Sequence, residues 1–195
     1  MPYSRTITVA DVCSTCVSTQ GKKENCLLKV SGGNKRVFYY INRCDIDEIS
    51  IDDATHTITQ LNLKSGATWF SVTALKDTLT WTESVTLPNK FITQTIVFNI
   101  TQLSDNADKE LATQEAIDFA QELVNNDGEL VMLIQSRTGV WRLYGLDNGL
   151  EISAGESISG AALADVSSNT LTFIAGETEY AHVVPQAVVA VQLVI

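Results

Sequence analysis

Four cysteines and two histidines are the residues of this chain best suited to hold a metal or move a proton. Cys13 and Cys16 form a C-x-x-C, a spacing at which two thiolates can take two corners of a zinc tetrahedron. Cys26 and Cys44 would have to supply the other two corners without a second C-x-x-C. A zinc site on Cys13, Cys16, Cys26 and Cys44 is therefore an incomplete match. A redox dithiol belongs at a strand-to-helix junction, and Val17-Ser18-Thr19-Gln20-Gly21 does not open a helix. Unpaired thiols in a reducing compartment are the simpler reading.

His56 lies in Thr55-His56-Thr57-Ile58-Thr59 and reads as a solvent-facing strand position; neither it nor His182 accompanies a G-x-S-x-G. Neither G-x-x-x-x-G-K-[ST] nor G-x-G-x-x-G occurs, and Ser31-Gly32-Gly33-Asn34-Lys35 reads as a turn into a strand. The acidic run Cys44 to Asp53 lacks the glycine around which a calcium loop turns. Ile46, Ile49 and Ile51 make it a strand or strand edge with solvated carboxylates. No constellation singles out a catalytic residue, a cofactor or a metal, so the expectation is a protein that is not an enzyme.

The elements that position these residues are mostly strands. Of 195 residues 45% are hydrophobic and 18% charged, enough to build a sizeable core and too apolar for global disorder. Runs rich in Thr, Val and Ile predict strands over 6–12, 35–43, 55–63, 68–75, 78–87, 91–103, 129–136, 140–145, 170–175 and 188–195. Between Ser104 and Asp127, Leu111, Ala112, Ala116, Phe119, Ala120 and Leu123 recur at helical spacing. Ser104, Asp105 or Asn106 would cap this helix, and Asn126-Asp127-Gly128 would stop it. One domain spanning 1–195, with the helix inserted between strands, is the simplest organisation.

The net charge is −10, and the few basic residues are scattered, which argues against a protein that grips nucleic acid. No apolar run approaches a membrane span, and the first residues do not read as a signal peptide, so folding in a cytoplasm is expected. Thr78, Thr80, Thr82, Ser84 and Thr86 alternate with Leu79, Trp81, Glu83, Val85 and Leu87. Thr93, Thr95, Asn99 and Thr101 likewise alternate with Ile92, Ile96, Phe98 and Ile100. One sheet face is then coated with small uncharged polar groups, either as an ordinary half-exposed sheet or as the lining of a water-filled passage. Lys76-Asp77 reads as the tip of a hairpin over 68–87. The C-terminal Val188 to Ile195, apolar on both sides, reads as a strand that needs cover from its own fold or from another subunit.

Leu130 to Gly145 reads as a hairpin, and Leu146-Asp147-Asn148-Gly149-Leu150-Glu151 follows it. After a Gly/Ser/Ala stretch come Ser168-Asn169-Thr170-Leu171-Thr172-Phe173 and Gly176-Glu177-Thr178-Glu179. This succession, over roughly 130–184, resembles the tail tube proteins of long-tailed bacteriophages. The resemblance implies a mainly β fold: a sandwich or barrel of antiparallel strands with one flanking α-helix at about 106–125. It also implies a virion protein, assembled in the host cytoplasm, whose homohexameric rings stack into a tail tube through which DNA passes without specific binding. Its partners would be further copies of itself and other virion tail proteins, with no membrane involved. In that family inner-sheet strands of neighbouring subunits join around the lumen, which makes Thr78, Thr80, Thr82, Ser84, Thr86, Thr93, Thr95, Asn99 and Thr101 candidates to face it. Lys76, Asp77, Val191, Leu193 and Ile195 are candidates for contacts between subunits or rings. Residues 1–50 match nothing in the family. A tail terminator, a head-tail connector, a head fibre, a zinc-stabilised binding module and a hydrolase on a β-scaffold remain as alternatives.

Overall fold

Leu130-Val131-Met132-Leu133-Ile134 is apolar at successive positions, so a strand here must bury both of its faces. The computed structural model, which describes residues 4–6, 33–88, 90–102, 108–125, 129–159 and 167–193, has this strand inside a large sheet covered on both sides. In chain order the elements are β1 (Ser4–Thr6), β2 (Val37–Asn42), β3 (Ile46–Asp52), β4 (Thr57–Leu63), β5 (Phe70–Thr73), β6 (Thr80–Thr86) and β7 (Phe91–Thr101). Helix α1 (Lys109–Asn125) follows, then β8 (Leu130–Gln135), β9 (Trp141–Tyr144), β10 (Glu151–Ile158), β11 (Ser168–Glu177), β12 (His182–Val184) and helix α2 (Gln186–Gln192).

Eight strands form one sheet in the order β1-β3-β4-β12-β9-β8-β2-β5, and four form a second in the order β10-β11-β7-β6. All pairings are antiparallel except β12 with β4. The fold is thus a mainly β sandwich with a flanking helix. Between the sheets, Leu130, Met132 and Ile134 of β8 meet Ile96, Phe98, Leu171 and Phe173 of the smaller sheet. The Phe98 ring, fully buried, lies 4.7 Å from that of Phe38 and 5.7 Å, nearly parallel, from that of Phe173. On the far side of the large sheet Val131 and Leu133 join Ile49, Ile51, Ile58, Leu61 and Trp141, with Val189 and Leu193 laid over them. Helix α1 begins where Asp108 accepts the Glu110 amide at 3.0 Å, so Asp108 acts as its cap; Ser104, Asp105 and Asn106 lie outside the described residues. Leu123 and the half-buried Phe119 attach the helix to the intersheet core.

The structure corrects two expectations. Residues 186–192 form a helix rather than a strand. Pro185, extended, precedes the first turn, and Val189 and Leu193 stand four residues apart on the buried side while Val191 is 72% exposed. The branched valines favour a strand locally, but the uncovered apolar face of the large sheet accepts this helical stripe. Leu193 is therefore occupied within its own chain, and Ile195 lies outside the described residues.

The second correction concerns 68–87, which is not a hairpin. β5 pairs with β2 in the large sheet and β6 with β7 in the small one. The chain changes sheets between adjacent residues: the Ala74 amide bonds to Arg36 O at 2.8 Å and the Leu75 amide to Asn99 O at 2.7 Å. Lys76 and Asp77 form the crossover turn, and Asp77, at φ 63°, pairs with Arg137. The expected strand over 6–12 meets β1 only at Thr6, its remainder lying outside the described residues.

The aromatic stack between the sheets should dominate stability. Phe98→Ala is expected to cost about 3–5 kcal/mol in equilibrium denaturation. Thr82→Ala, on the exposed face, should stay within about 0.5 kcal/mol. Similar losses in both would show that the intersheet core does not hold the sandwich together.

Candidate functional site

Strand pairing places residues that face each other across a ladder on the same side of the sheet. Thr80 pairs with Val97, Thr82 with Thr95, Ser84 with Thr93 and Thr86 with Phe91. Across the next ladder Thr101, Asn99, Val97, Thr95 and Thr93 meet Ser168, Thr170, Thr172, Ile174 and Gly176 of β11. Eight of the nine residues singled out for a polar face (Thr80, Thr82, Ser84, Thr86, Thr93, Thr95, Asn99 and Thr101) therefore share one side of the small sheet. That side is open to solvent, with the β6 positions exposed and the central ones half-buried by their neighbours. Phe91, Val97 and Ile174 interrupt the polar rows, and Glu156 on β10, opposite Thr170, adds a carboxylate.

Thr78 does not belong with them. It precedes β6 in the crossover, where its hydroxyl donates to Leu75 O at 2.9 Å and accepts from the Asn99 amide at 3.2 Å. The edges of this sheet, β6 and β10, carry no further strand among the described residues. Val85 on the first edge is 47% exposed and Ile158 on the second 44%.

The inner side of the same sheet is mostly apolar, and it carries a polar chain that sequence reasoning did not assemble. Gln94, 2% exposed, donates to Glu83 Oε1 at 3.2 Å and accepts the Gly145 amide at 2.9 Å. The same Glu83 oxygen accepts the Ala181 amide at 2.6 Å. The Arg142 guanidinium lies 3.7 Å from the other oxygen and 5.0 Å above the Trp81 ring. These bonds tie β6 and β7 to the start of the loop after β9 and to the segment entering β12. The signal was available: Gln94 stands on the inward side of its strand between Ile92 and Ile96, where only a satisfied amide fits.

Glu177, also 2% exposed, accepts the Asp147 amide at 2.7 Å and the Asn148 amide at 3.2 Å. Burial raises its carboxyl above the usual carboxylate range; the two amides and the Arg43 charge hold it back, while Asp147 adds to the rise. Gly149, at φ 80°, completes the turn beneath it, where a Cβ would fall within 2.1 Å of Glu129 Cβ.

The remaining chemistry-bearing residues disperse. Cys44 is exposed in the short 3-10 turn after β2, while Cys13, Cys16 and Cys26 lie outside the described residues. His56 is exposed as expected, though in the turn before β4 rather than in a strand, and His182 is buried on β12. A cavity of about 770 Å³ beside Tyr39, Trp69 and Lys64 holds a single carboxylate, Asp47, where glycoside hydrolysis needs a pair. Among the described residues no helix is long and apolar enough to cross a membrane.

The Glu177 carboxyl makes stability pH-dependent. Because its folded-state value is raised, the native chain holds this proton more tightly than the unfolded chain does. That stabilisation is complete below the ordinary carboxylate value and is lost as pH rises through the folded value. Urea denaturation across a pH series should show the stability of the wild type falling relative to Glu177→Gln as pH rises from about 4. A difference that stays constant, or grows in favour of the wild type, would contradict the assignment.

Neither a protein-family model, nor a curated protein, nor a solved structure matches this chain.

Proposed function

We propose that this chain is a structural virion protein, not an enzyme, which self-assembles into stacked rings that form a conduit for DNA, as a phage tail tube does. The observation that carries the reading is the small sheet, with one solvent-open face of hydroxyl-rich side chains and, among the described residues, two unpaired edge strands. Unpaired edges expose rows of N–H and C=O groups that template further pairing. Closure is the arrangement that removes both edges at once: β6 of one subunit against β10 of the next, with the polar face inward.

The ring size comes from the resemblance. Six copies of a four-stranded sheet would close with about 24 strands. At a spacing of about 4.8 Å and a tilt of about 40°, the barrel would measure about 48 Å between opposing backbones, wide enough for a double helix after side chains are counted. Threonine and serine hydroxyls offer a hydrated wall without fixed cations, and the net charge of −10 opposes adhesion of a polyanion. Val85, half-exposed on the core side of β6, would be covered by the neighbouring subunit in the joint, while Ile158, opposite Ser168 on β10, would stand on the lumen side. In this arrangement Ile117 and Val124, exposed and seven residues apart on α1, offer a second apolar contact to a neighbour.

Negative-stain imaging of the concentrated protein should show six-fold rings or hollow tubes, and Val85→Asp should reduce the assembled fraction while leaving the circular dichroism of the subunit unchanged. A monodisperse monomer at every concentration would overturn the proposal. Trimers would favour a capsid-decorating protein instead.

A further inference from the structure

The two histidines of the chain stand 126 positions apart in sequence, yet the fold brings them to one carboxylate. Glu179 Oε2 lies 3.5 Å from His182 Nε2 and 3.9 Å from His56 Nδ1. The three ligand atoms all fall within 4.8 Å of one another, and the two imidazole rings lie face to face with centroids 6.4 Å apart. We propose that His56, Glu179 and His182 form a site for one divalent cation of the zinc type, a site independent of the cysteines and of the polar sheet face.

The backbone holds the ligands in place before any ion arrives. β12 pairs in parallel with β4 at Val183 and Thr57, the residues next to His182 and His56, and the Val183 amide donates to His56 O at 3.3 Å. His182 is 5% exposed and fixed on its other side by pairing with Leu143. His56 sits in a turn whose residues Ala54 and Thr55 both bond to the Asp52 carboxylate, and it adopts φ 49°, a conformation in which non-glycine residues are uncommon. Glu179 comes from the segment that leaves β11 and enters β12.

Distance and donor type select the ion. A tetrahedral zinc with bonds of about 2.0–2.1 Å places its ligand atoms about 3.3 Å apart, so the two contacts to Glu179 need move by less than about 1 Å. Two imidazole nitrogens and one carboxylate oxygen suit Zn²⁺, Co²⁺ or Ni²⁺, whereas Ca²⁺ and Mg²⁺ require more oxygens. The Nδ1 of His182 makes no hydrogen bond within the protein. Moving the proton to that nitrogen, as ligation through Nε2 requires, therefore breaks no bond there. His56 and Glu179 remain open enough to solvent for water to complete the fourth position. A bound ion would clip the turn between β3 and β4 to the segment that carries the chain from the small sheet to the large one, and so brace the two layers at one end.

The test is titration of the chelator-treated, full-length protein with Zn²⁺ by calorimetry, and with Co²⁺ by absorption. One equivalent should bind, with cobalt bands in the visible region of an N/O tetrahedral site and no thiolate-to-cobalt charge transfer. Zn²⁺ should raise the thermal midpoint. His56→Ala, a change at an exposed turn that leaves the core intact, and Glu179→Gln should each weaken binding by about tenfold or more and abolish the thermal shift. No binding by the wild type would overturn the proposal, as would binding that shows thiolate charge transfer and persists unchanged in His56→Ala.

Discussion

A strand with no polar face dictates the layering of this protein. β8 buries all six of its residues, and the positions on its two sides belong to two separate apolar clusters. In water such a strand is stable only at the centre of a sheet with cover above and below. The four-stranded sheet supplies one cover, clasped through the Phe38–Phe98–Phe173 rings, and α2 contributes to the other. The same requirement explains why a valine-rich C-terminal segment folds as a helix: the large sheet already has its strands and lacks a lid. Local preference for a strand is worth less than burial of Val189 and Leu193 against Ile58 and Leu61.

Apolar contact alone would let two sheets slide over one another. The buried polar chain through Glu83, Gln94, Gly145 and Ala181 fixes their relative position, because these groups find partners at hydrogen-bonding distance only in one another and none in the surrounding hydrocarbon. Displacement by one residue would leave a carboxylate, an amide and two backbone N–H groups unsatisfied, at a cost of about 1–3 kcal/mol each. Glu177, 2% exposed, does the same for the turn at Asp147 and Asn148. These acids are the interior minority of an acidic chain; they hold the layers in register while the remainder keep the surface soluble.

What the sequence made legible follows from the range over which each signal acts. The continuous apolar run of β8 and the period-two alternation of β6 and β7 are local patterns, and the strands stand where those patterns place them. The helix at 109–125 was equally plain from its spacing. The turn at Lys76-Asp77 misled because a two-residue connection between alternating strands looks the same whether the strands pair or part. Only the partner switch at Ala74 and Leu75 distinguishes the two, and it involves β2 and β7, far away in sequence. β10 carries Ser153, Ala154, Gly155 and Glu156 with a bulge after Ile152, too little apolar character to announce a strand; pairing with β11 makes it one. The meeting of His56 with His182 depends on a single parallel bridge between β4 and β12, which no local pattern encodes.

The two sheets differ in how their faces are covered. The large sheet has an apolar cluster on each face, and among the described residues its own edges, β1 and β5, carry no further strand. The small sheet has one face committed to the core, while its other face and both its edges are free among the described residues. A free face built from valine or leucine would drive indiscriminate association, whereas rows of threonine and serine remain hydrated in the isolated subunit and need no rearrangement to line a passage. Free edges are blunted by charges, prolines and bulges, and β10 has Glu151, Glu156 and a bulge after Ile152. β6 carries no lysine or proline, and the one charge on it, Glu83, points inward to the buried network. β6 is thus the less guarded of the two edges, and a strand added there would satisfy its open N–H and C=O groups.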